Sequence, residues 1–137
     1  MKYEKDFRGS PVPAIDPRVC RGMVSASSGR LGEHSVSRDY LARGYELIAE
    51  RWRGQGGEID LILCKDSEYV FVEVKSAAFH DWAAERISRR QIARIFNAAQ
   101  EFCGRLPSGS LTEMRFDAAL VDQYGRVEIR ENALGMN

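Results

Sequence analysis

The sequence predicts a mixed α/β fold, with a central β-sheet flanked by helices in the order helix, three strands, helix, two strands. Three observations predict it. Residues 58–75 form two adjacent runs, EIDLILCK and EYVFVEVK, that alternate apolar and polar side chains with the period of a strand. Residues 88–103 repeat Ile92, Ile95, Phe96, Ala99, Phe102 and Cys103 with the period of a helix, closed by Gly104. After a break at 107–109, MRFDAALV and RVEIRE read as two more strands around a turn at Gln123-Tyr124-Gly125.

The elements follow in chain order. Residues 1–27 carry Pro11, Pro13 and Pro17 with mixed charges and no apolar period, and are expected to form a flexible arm. Residues 28–137 are then one domain, because 137 residues with 44% hydrophobic content suit a single core closed without disulfides or structural metal. Residues 28–43 are helix-compatible, with Ser27 or Ser28 as N-cap and Gly44 where a left-handed C-cap residue ends a helix. On that helix Glu33, Val36, Ser37 and Tyr40 share one face, so Glu33 should lie toward the sheet. Residues 45–52 (YELIAERW) alternate imperfectly and read as a strand, followed by a glycine-rich turn at 53–57.

The hairpin register carries the chemistry. Ile59, Leu61 and Leu63 fall on one face of the first run, and Val70, Val72 and Val74 on one face of the second. Bringing the two rows together centres the hairpin between Asp66 and Ser67. Asp60 then stands opposite Glu73, and Glu58 opposite Lys75. Opposed strand residues hold their Cβ atoms ~5 Å apart, so two carboxylates would lie side by side on a partly covered sheet. Like charges there are destabilising without compensation. Mg²⁺ or Mn²⁺ would supply it, since hard dications favour oxygen ligands and Mg²⁺ needs only one or two protein carboxylates. Lys75, two residues after Glu73, has its amine on the same face, placed to steady a hydroxide or a developing phosphorane charge. The ordinary alternative is a Glu58–Lys75 ion pair worth ~0.2–1 kcal/mol, which leaves Asp60 facing Glu73 unexplained. Glu33 alone reads as a first-turn acid favoured by the helix dipole. With the other three it becomes a fourth convergent group.

Arg86, Arg89, Arg90 and Arg94 gather around the start of the second long helix, with Glu85 nearby to offset them. They are candidate contacts to a phosphate backbone, or else a solvated helix face. His34 and His80 lack paired ligand spacing and read as surface residues; Asp117 reads as an edge-strand or loop-facing acid, and Trp82, in the loop before the helix, as a cover for the core. Basic and acidic residues balance at 20 each, so no net field draws nucleic acid from a distance. Cys20, Cys64 and Cys103 are odd in number and unpaired in spacing, which excludes a disulfide framework or zinc knuckle and fits a reducing cytoplasm. No signal-peptide pattern and no run of ~20 apolar residues is found, so a cytoplasmic protein without membrane association is expected.

The segments GRLGEHSVSRDYLARGYELIAERWR, GEIDLIL, VFVEVKSA, ISRRQIARIFNAAQEF and MRFDAALV resemble, in order and spacing, the YraN-like family of bacterial proteins. That family falls in the PD-(D/E)xK nuclease-like superfamily and is similar to archaeal Holliday junction resolvases. The resemblance covers residues 29–121, and GEIDLI with FVEVK is its most specific part. It implies a restriction-endonuclease-like fold with an αβββαββ core. It also implies a Mg²⁺- or Mn²⁺-dependent endonuclease that hydrolyses phosphodiesters in DNA, branched or junction DNA included, and acts as a homodimer. Carried over by position, Glu33 is the first acid, Asp60 the metal-binding aspartate, and Glu73 and Lys75 the E-x-K, with the Val74 carbonyl a further metal ligand. The sequence departs from the pattern twice: Ser76-Ala77 replaces a common Thr-Arg, and Arg89 or Arg90 stands where a lysine is expected. The rival expectation is a catalytically inactive nucleic-acid-binding or scaffold domain that keeps the fold.

Overall fold

The structure, a computed structural model, describes residues 24–134. Its elements are α1 (Val24–Ala42), β1 (Glu46–Arg53), β2 (Glu58–Lys65), β3 (Glu68–Ser76), α2 (His80–Glu85), α3 (Arg89–Gly104), a 3₁₀ turn (Gly109–Leu111), β4 (Glu113–Val121) and β5 (Val127–Arg130). The strands form one sheet in the order β1-β2-β3-β4-β5. Only β3 and β4 run parallel, joined by the crossover that contains α3; the other neighbours are antiparallel. The expected mixed sheet with flanking helices is therefore present. α1 begins at Val24, before the serines expected to cap it, and it ends where expected, with Gly44 in the left-handed region at φ +94°. The rest of the expected arm, residues 1–23, lies outside the described residues, as do 135–137.

Two apolar layers sandwich the sheet. Val36 and Tyr40 of α1 pack with Leu61, Leu63, Val70, Val72 and Ala119 on one face. Ile95, Ala98, Ala99 and Cys103 of α3 pack with Ile62, Phe71, Ala118 and Leu120 on the other. The valine, leucine, isoleucine and phenylalanine side chains among them contribute roughly 1.5–3 kcal/mol each when fully buried. α3 starts where expected because Ser88 and Gln91 form a capping box: the Gln91 N–H donates to Ser88 Oγ at 3.1 Å, and the Ser88 N–H to Gln91 Oε1 at 3.4 Å.

β2 and β3 pair in the expected register, from Lys65 opposite Glu68 to Leu61 opposite Val72. Asp66 and Ser67 form the turn with φ values of +52° and +71°, the left-handed pair a two-residue hairpin loop demands. One expectation fails here. Ile59 packs not with Leu61 but on the opposite face, with Ile62 and Phe71. The change coincides with a break in β1–β2 pairing, which passes from Glu50–Leu61 to Trp52–Ile59 and skips Arg51 and Asp60. Arg51 takes the left-handed conformation at φ +50°. The register is the same on both sides of this break, but residues on either side of Asp60 address different layers; the register shift of this pair lies elsewhere, between Leu47 and Ala49.

Other expectations are corrected. The segment before α3 is not all loop but contains the short helix α2, and Trp82 on it is 56% exposed, edge-on to the equally exposed Phe79. Asp117 is neither at an edge nor facing a loop. It is fully buried in β4, between β3 and β5, where Tyr40 Oη donates to it at 2.7 Å and Arg115 binds both of its oxygens at 2.9 Å. His80 is mostly covered, with its ring set between the Arg126 carbonyl at 2.9 Å and the Glu128 carboxylate at 3.1 Å. Among the described residues, no helix is long and apolar enough to cross a membrane.

Candidate active site

The site lies at the open end of the β2–β3 hairpin. Just past the last residue pair, the Asp60 carboxylate accepts the Val74 backbone N–H at 2.8 Å, so a side chain takes the place of the next ladder bond. Glu73 points to the α3 side of the sheet, where Gln91 Nε2 donates to its Oε2 at 3.0 Å. Lys75 Nζ reaches the same oxygen at 3.2 Å, with the Glu73 side chain 7% exposed and that of Lys75 22%. Glu33, Asp60, Glu73, Lys75, Gln91 and Arg94 line one cavity of about 590 Å³.

Glu33 arrives from the other layer. α1 crosses so close to the ends of β3 and β4 that a Cβ on Gly32 would lie 3.3 Å from Ser76 Oγ and 3.6 Å from a Val121 methyl. The bare backbone at Gly32 lets the helix carry Glu33 to the rim of the cavity. There Glu33 Oε1 accepts a hydrogen bond from Arg51 Nε at 3.0 Å.

The electrostatics are those of carboxyls crowded together out of water. Burial pushes the Asp60 carboxyl up to about 7, the neighbouring Glu73 charge adds to the effect, and the Val74 N–H opposes it. Burial raises Glu73 as well, against the lowering influence of Lys75. Both carboxyls are thus pushed toward their protonated forms, so the pair holds on to a proton that an exposed carboxylate would release. The Glu33 charge works against ionisation of both. A divalent cation would replace that proton and hold both groups as carboxylates. Among the described residues, no group of three or more His, Cys, Asp or Glu side chains is arranged to hold a metal ion. A pair of carboxylates suits Mg²⁺, which keeps several waters and is usually bound through one or two carboxylates.

The sequence-derived candidates separate accordingly. Asp60, Glu73 and Lys75 come together, and Glu33 joins them at the rim. Glu58 does not pair with Lys75. Glu58 instead lies 3.6 Å from Arg53, while Lys75 turns to Glu73. Arg86 Nη1 donates to the Ser76 carbonyl at 2.7 Å and lines a second cavity that shares Glu33, Val74 and Lys75 with the first. Arg94 lines the first cavity, whereas the exposed Arg89 and Arg90 line neither. Two participants escaped the sequence reading. Gln91 carries a usable signal, the Ser-x-x-Gln of a capping box, although its bond to Glu73 does not follow from that pattern. Arg51 carries none, because a left-handed arginine in a strand has no sequence signature.

The helix–three strands–helix–two strands order, with an aspartate on β2 beside an E-x-K on β3, defines an α/β protein with a nuclease-like core. The chain belongs to the UPF0102 (YraN-like) family: the model described as "Uncharacterised protein family UPF0102" matches residues 32–121. That span holds all four site acids and bases, Glu33, Asp60, Glu73 and Lys75. A UPF0102 protein of Ruegeria pomeroyi is 52% identical over 115 residues, covering 84% of this chain and 94% of the relative. One from Roseobacter denitrificans is 50% identical over 123 residues, or 90% and 95% of the two chains. Another, from Dinoroseobacter shibae, is 44% identical over 120 residues, or 88% and 90%.

Proposed function

We propose that this protein is a divalent-metal-dependent DNA endonuclease whose reacting centre is Asp60, Glu73 and Lys75. The observation that carries the reading is one cavity lined by Asp60, Glu73 and Lys75, in which Lys75 Nζ lies 3.2 Å from the buried Glu73 carboxyl and both carboxyls are pushed toward their protonated forms, a constellation that a purely structural ion pair does not require. Asp60 and Glu73, with the Val74 carbonyl, would hold Mg²⁺ or Mn²⁺. When bound, such an ion polarises a phosphoryl oxygen and lowers the pKa of its water. Lys75 donates toward the attacking oxygen or the charge that develops on phosphorus. Gln91 and Lys75 fix Glu73, and the Val74 N–H fixes Asp60, so neither carboxyl has to reorganise as the reaction proceeds. Arg86 and Arg94 stand on the walls of the two joined cavities, where a phosphate backbone would pass.

The finer reading is a cytoplasmic enzyme acting on branched or junction DNA as a homodimer, which rests on the family resemblance. Incubating the purified protein with branched, flapped and linear DNA in Mg²⁺ or Mn²⁺ tests it. Cleavage should require the metal and should disappear in Asp60→Ala and Lys75→Ala; undiminished cleavage by both variants rejects the assignment.

A second reading, a nucleic-acid-binding scaffold without turnover, draws on one observation: Glu33 is engaged by Arg51. Such a scaffold would bind DNA without Asp60-dependent binding of Mn²⁺.

A further inference from the structure

Glu33 lies where three depressions meet. It lines the cavity that contains Asp60 and Glu73, the neighbouring one that contains Arg86, and a smaller outer one lined by Arg30, His34, Glu50 and Arg51. Its Oε1 is drawn to the outer side by Arg51 Nε at 3.0 Å. Arg51 reaches that position through an unusual backbone. It is a non-glycine residue at φ +50° within a strand, at the step where β1–β2 pairing skips both Arg51 and Asp60. One irregularity therefore sets the Asp60 carboxyl toward the cavity and the Arg51 guanidinium toward Glu33.

We infer that Arg51 is a positioning residue for the cation site: it holds Glu33 in an outer contact, and Glu33 exchanges Arg51 for the divalent cation or its waters when the site fills. The inference rests on the metal-site reading above. Three features support the exchange. The pair is accessible, with the Arg51 side chain 44% exposed and that of Glu33 18%, so water can replace the contact as it opens. Glu33 already borders the cavity, so it can change partner without moving α1. Arg51 is also the cation bonded to Glu33, while Lys75 stays with Glu73 at 3.2 Å and Arg53 with Glu58 at 3.6 Å. A dication entering the cavity meets the same acids and competes with Arg51 for Glu33.

The prediction is that removing Arg51 tightens metal binding, and does so through Glu33. Calorimetric titration of Mn²⁺ into the full-length chain reads it out. Arg51→Asn removes the charge while tolerating the left-handed backbone, and Arg51→Gly does so with no side-chain strain. Either should bind Mn²⁺ on the order of tenfold more tightly than wild type, and Arg51→Lys, which keeps the charge, should stay near wild type. In a Glu33→Gln background the gain should vanish, because the carboxylate that changes partners is gone. Wild-type or weaker affinity in both Arg51→Asn and Arg51→Gly overturns the inference. So does a gain that persists undiminished with Glu33→Gln, since that is repulsion through space rather than exchange. If wild type shows no Mn²⁺ binding that Asp60→Asn abolishes, the metal-site reading fails and this inference fails with it.

Discussion

The carboxylate of Asp60 accepts the backbone N–H of Val74 at 2.8 Å, at the point where β2 and β3 cease to pair. One side chain thus finishes the hairpin and faces Glu73, which separates its structural role from its charge. Asp60→Asn keeps an oxygen acceptor for Val74 and loses the charge. Asp60→Ala leaves the N–H without its partner, at a cost of about 1–3 kcal/mol. Urea unfolding of the metal-free proteins at neutral pH should rank Asp60→Asn at or above wild type and Asp60→Ala below it, with Mn²⁺ binding lost in both. Equal destabilisation by the two substitutions would contradict this division of roles.

The raised carboxyls predict a pH dependence. Asp60 titrates near 7 in the folded protein against 3.8 as its ordinary value, and Glu73 is raised as well. Across that window the folded state holds a proton that the unfolded chain has released. The resulting stability is complete below the ordinary carboxylate range and is lost as pH rises through about 7. The melting temperature of the metal-free protein should therefore fall toward neutral pH relative to Asp60→Asn, and Mn²⁺ should reverse the loss. Parallel melting profiles for the two proteins across this range would rule out the crowding.

Lys75 touches Glu73, and on the proposed reading it serves the reacting phosphate rather than the cation. Lys75→Met should lower single-turnover DNA cleavage by about 10²–10³-fold, the range found when one charge-stabilising donor is removed, with Mn²⁺ affinity largely retained. Loss of metal binding in that variant would make Lys75 structural.

The buried Tyr40–Asp117 bond joins α1 to the sheet away from the chemistry. Tyr40→Phe removes a hydrogen bond to a charged group and should cost about 1.5–3 kcal/mol in unfolding free energy, without changing Mn²⁺ affinity. A change in affinity with no change in stability would place Tyr40 in the site instead.

The four arginines should separate by position. Arg86→Ala and Arg94→Ala, which alter the cavity walls, should each reduce the dependence of DNA affinity on salt by about one ion. Arg89→Ala and Arg90→Ala should have smaller effects, and fluorescence anisotropy over a salt series distinguishes the two pairs. Equal slopes for all four variants would point to a diffuse charged surface.

The hairpin was legible because period-2 patterning and a two-residue turn leave one register that buries both aliphatic rows, and that register brings Asp60 toward Glu73. α3 was legible from its apolar period. What escaped depends on partners distant in sequence or on backbone states that no residue type announces. Ile59 changes layer where Arg51, eight positions away, takes a left-handed conformation across the break in pairing. Asp117 looks like any strand acid until Tyr40, 77 positions earlier, is seen to bond it. Trp82 suggested a covered aromatic, yet α2 is so short that its buried face is filled by Ala83 while Trp82 stays outside.

On the proposed reading Asp60 and Glu73 form one divalent-cation site, which an anomalous difference map from a crystal soaked in Mn²⁺ would reveal. A single strong peak is expected at about 2 Å from oxygens of both carboxylates, with the Val74 carbonyl beside it and no such peak in Asp60→Asn. An empty cleft at saturating Mn²⁺, or a peak that survives in Asp60→Asn, would contradict it.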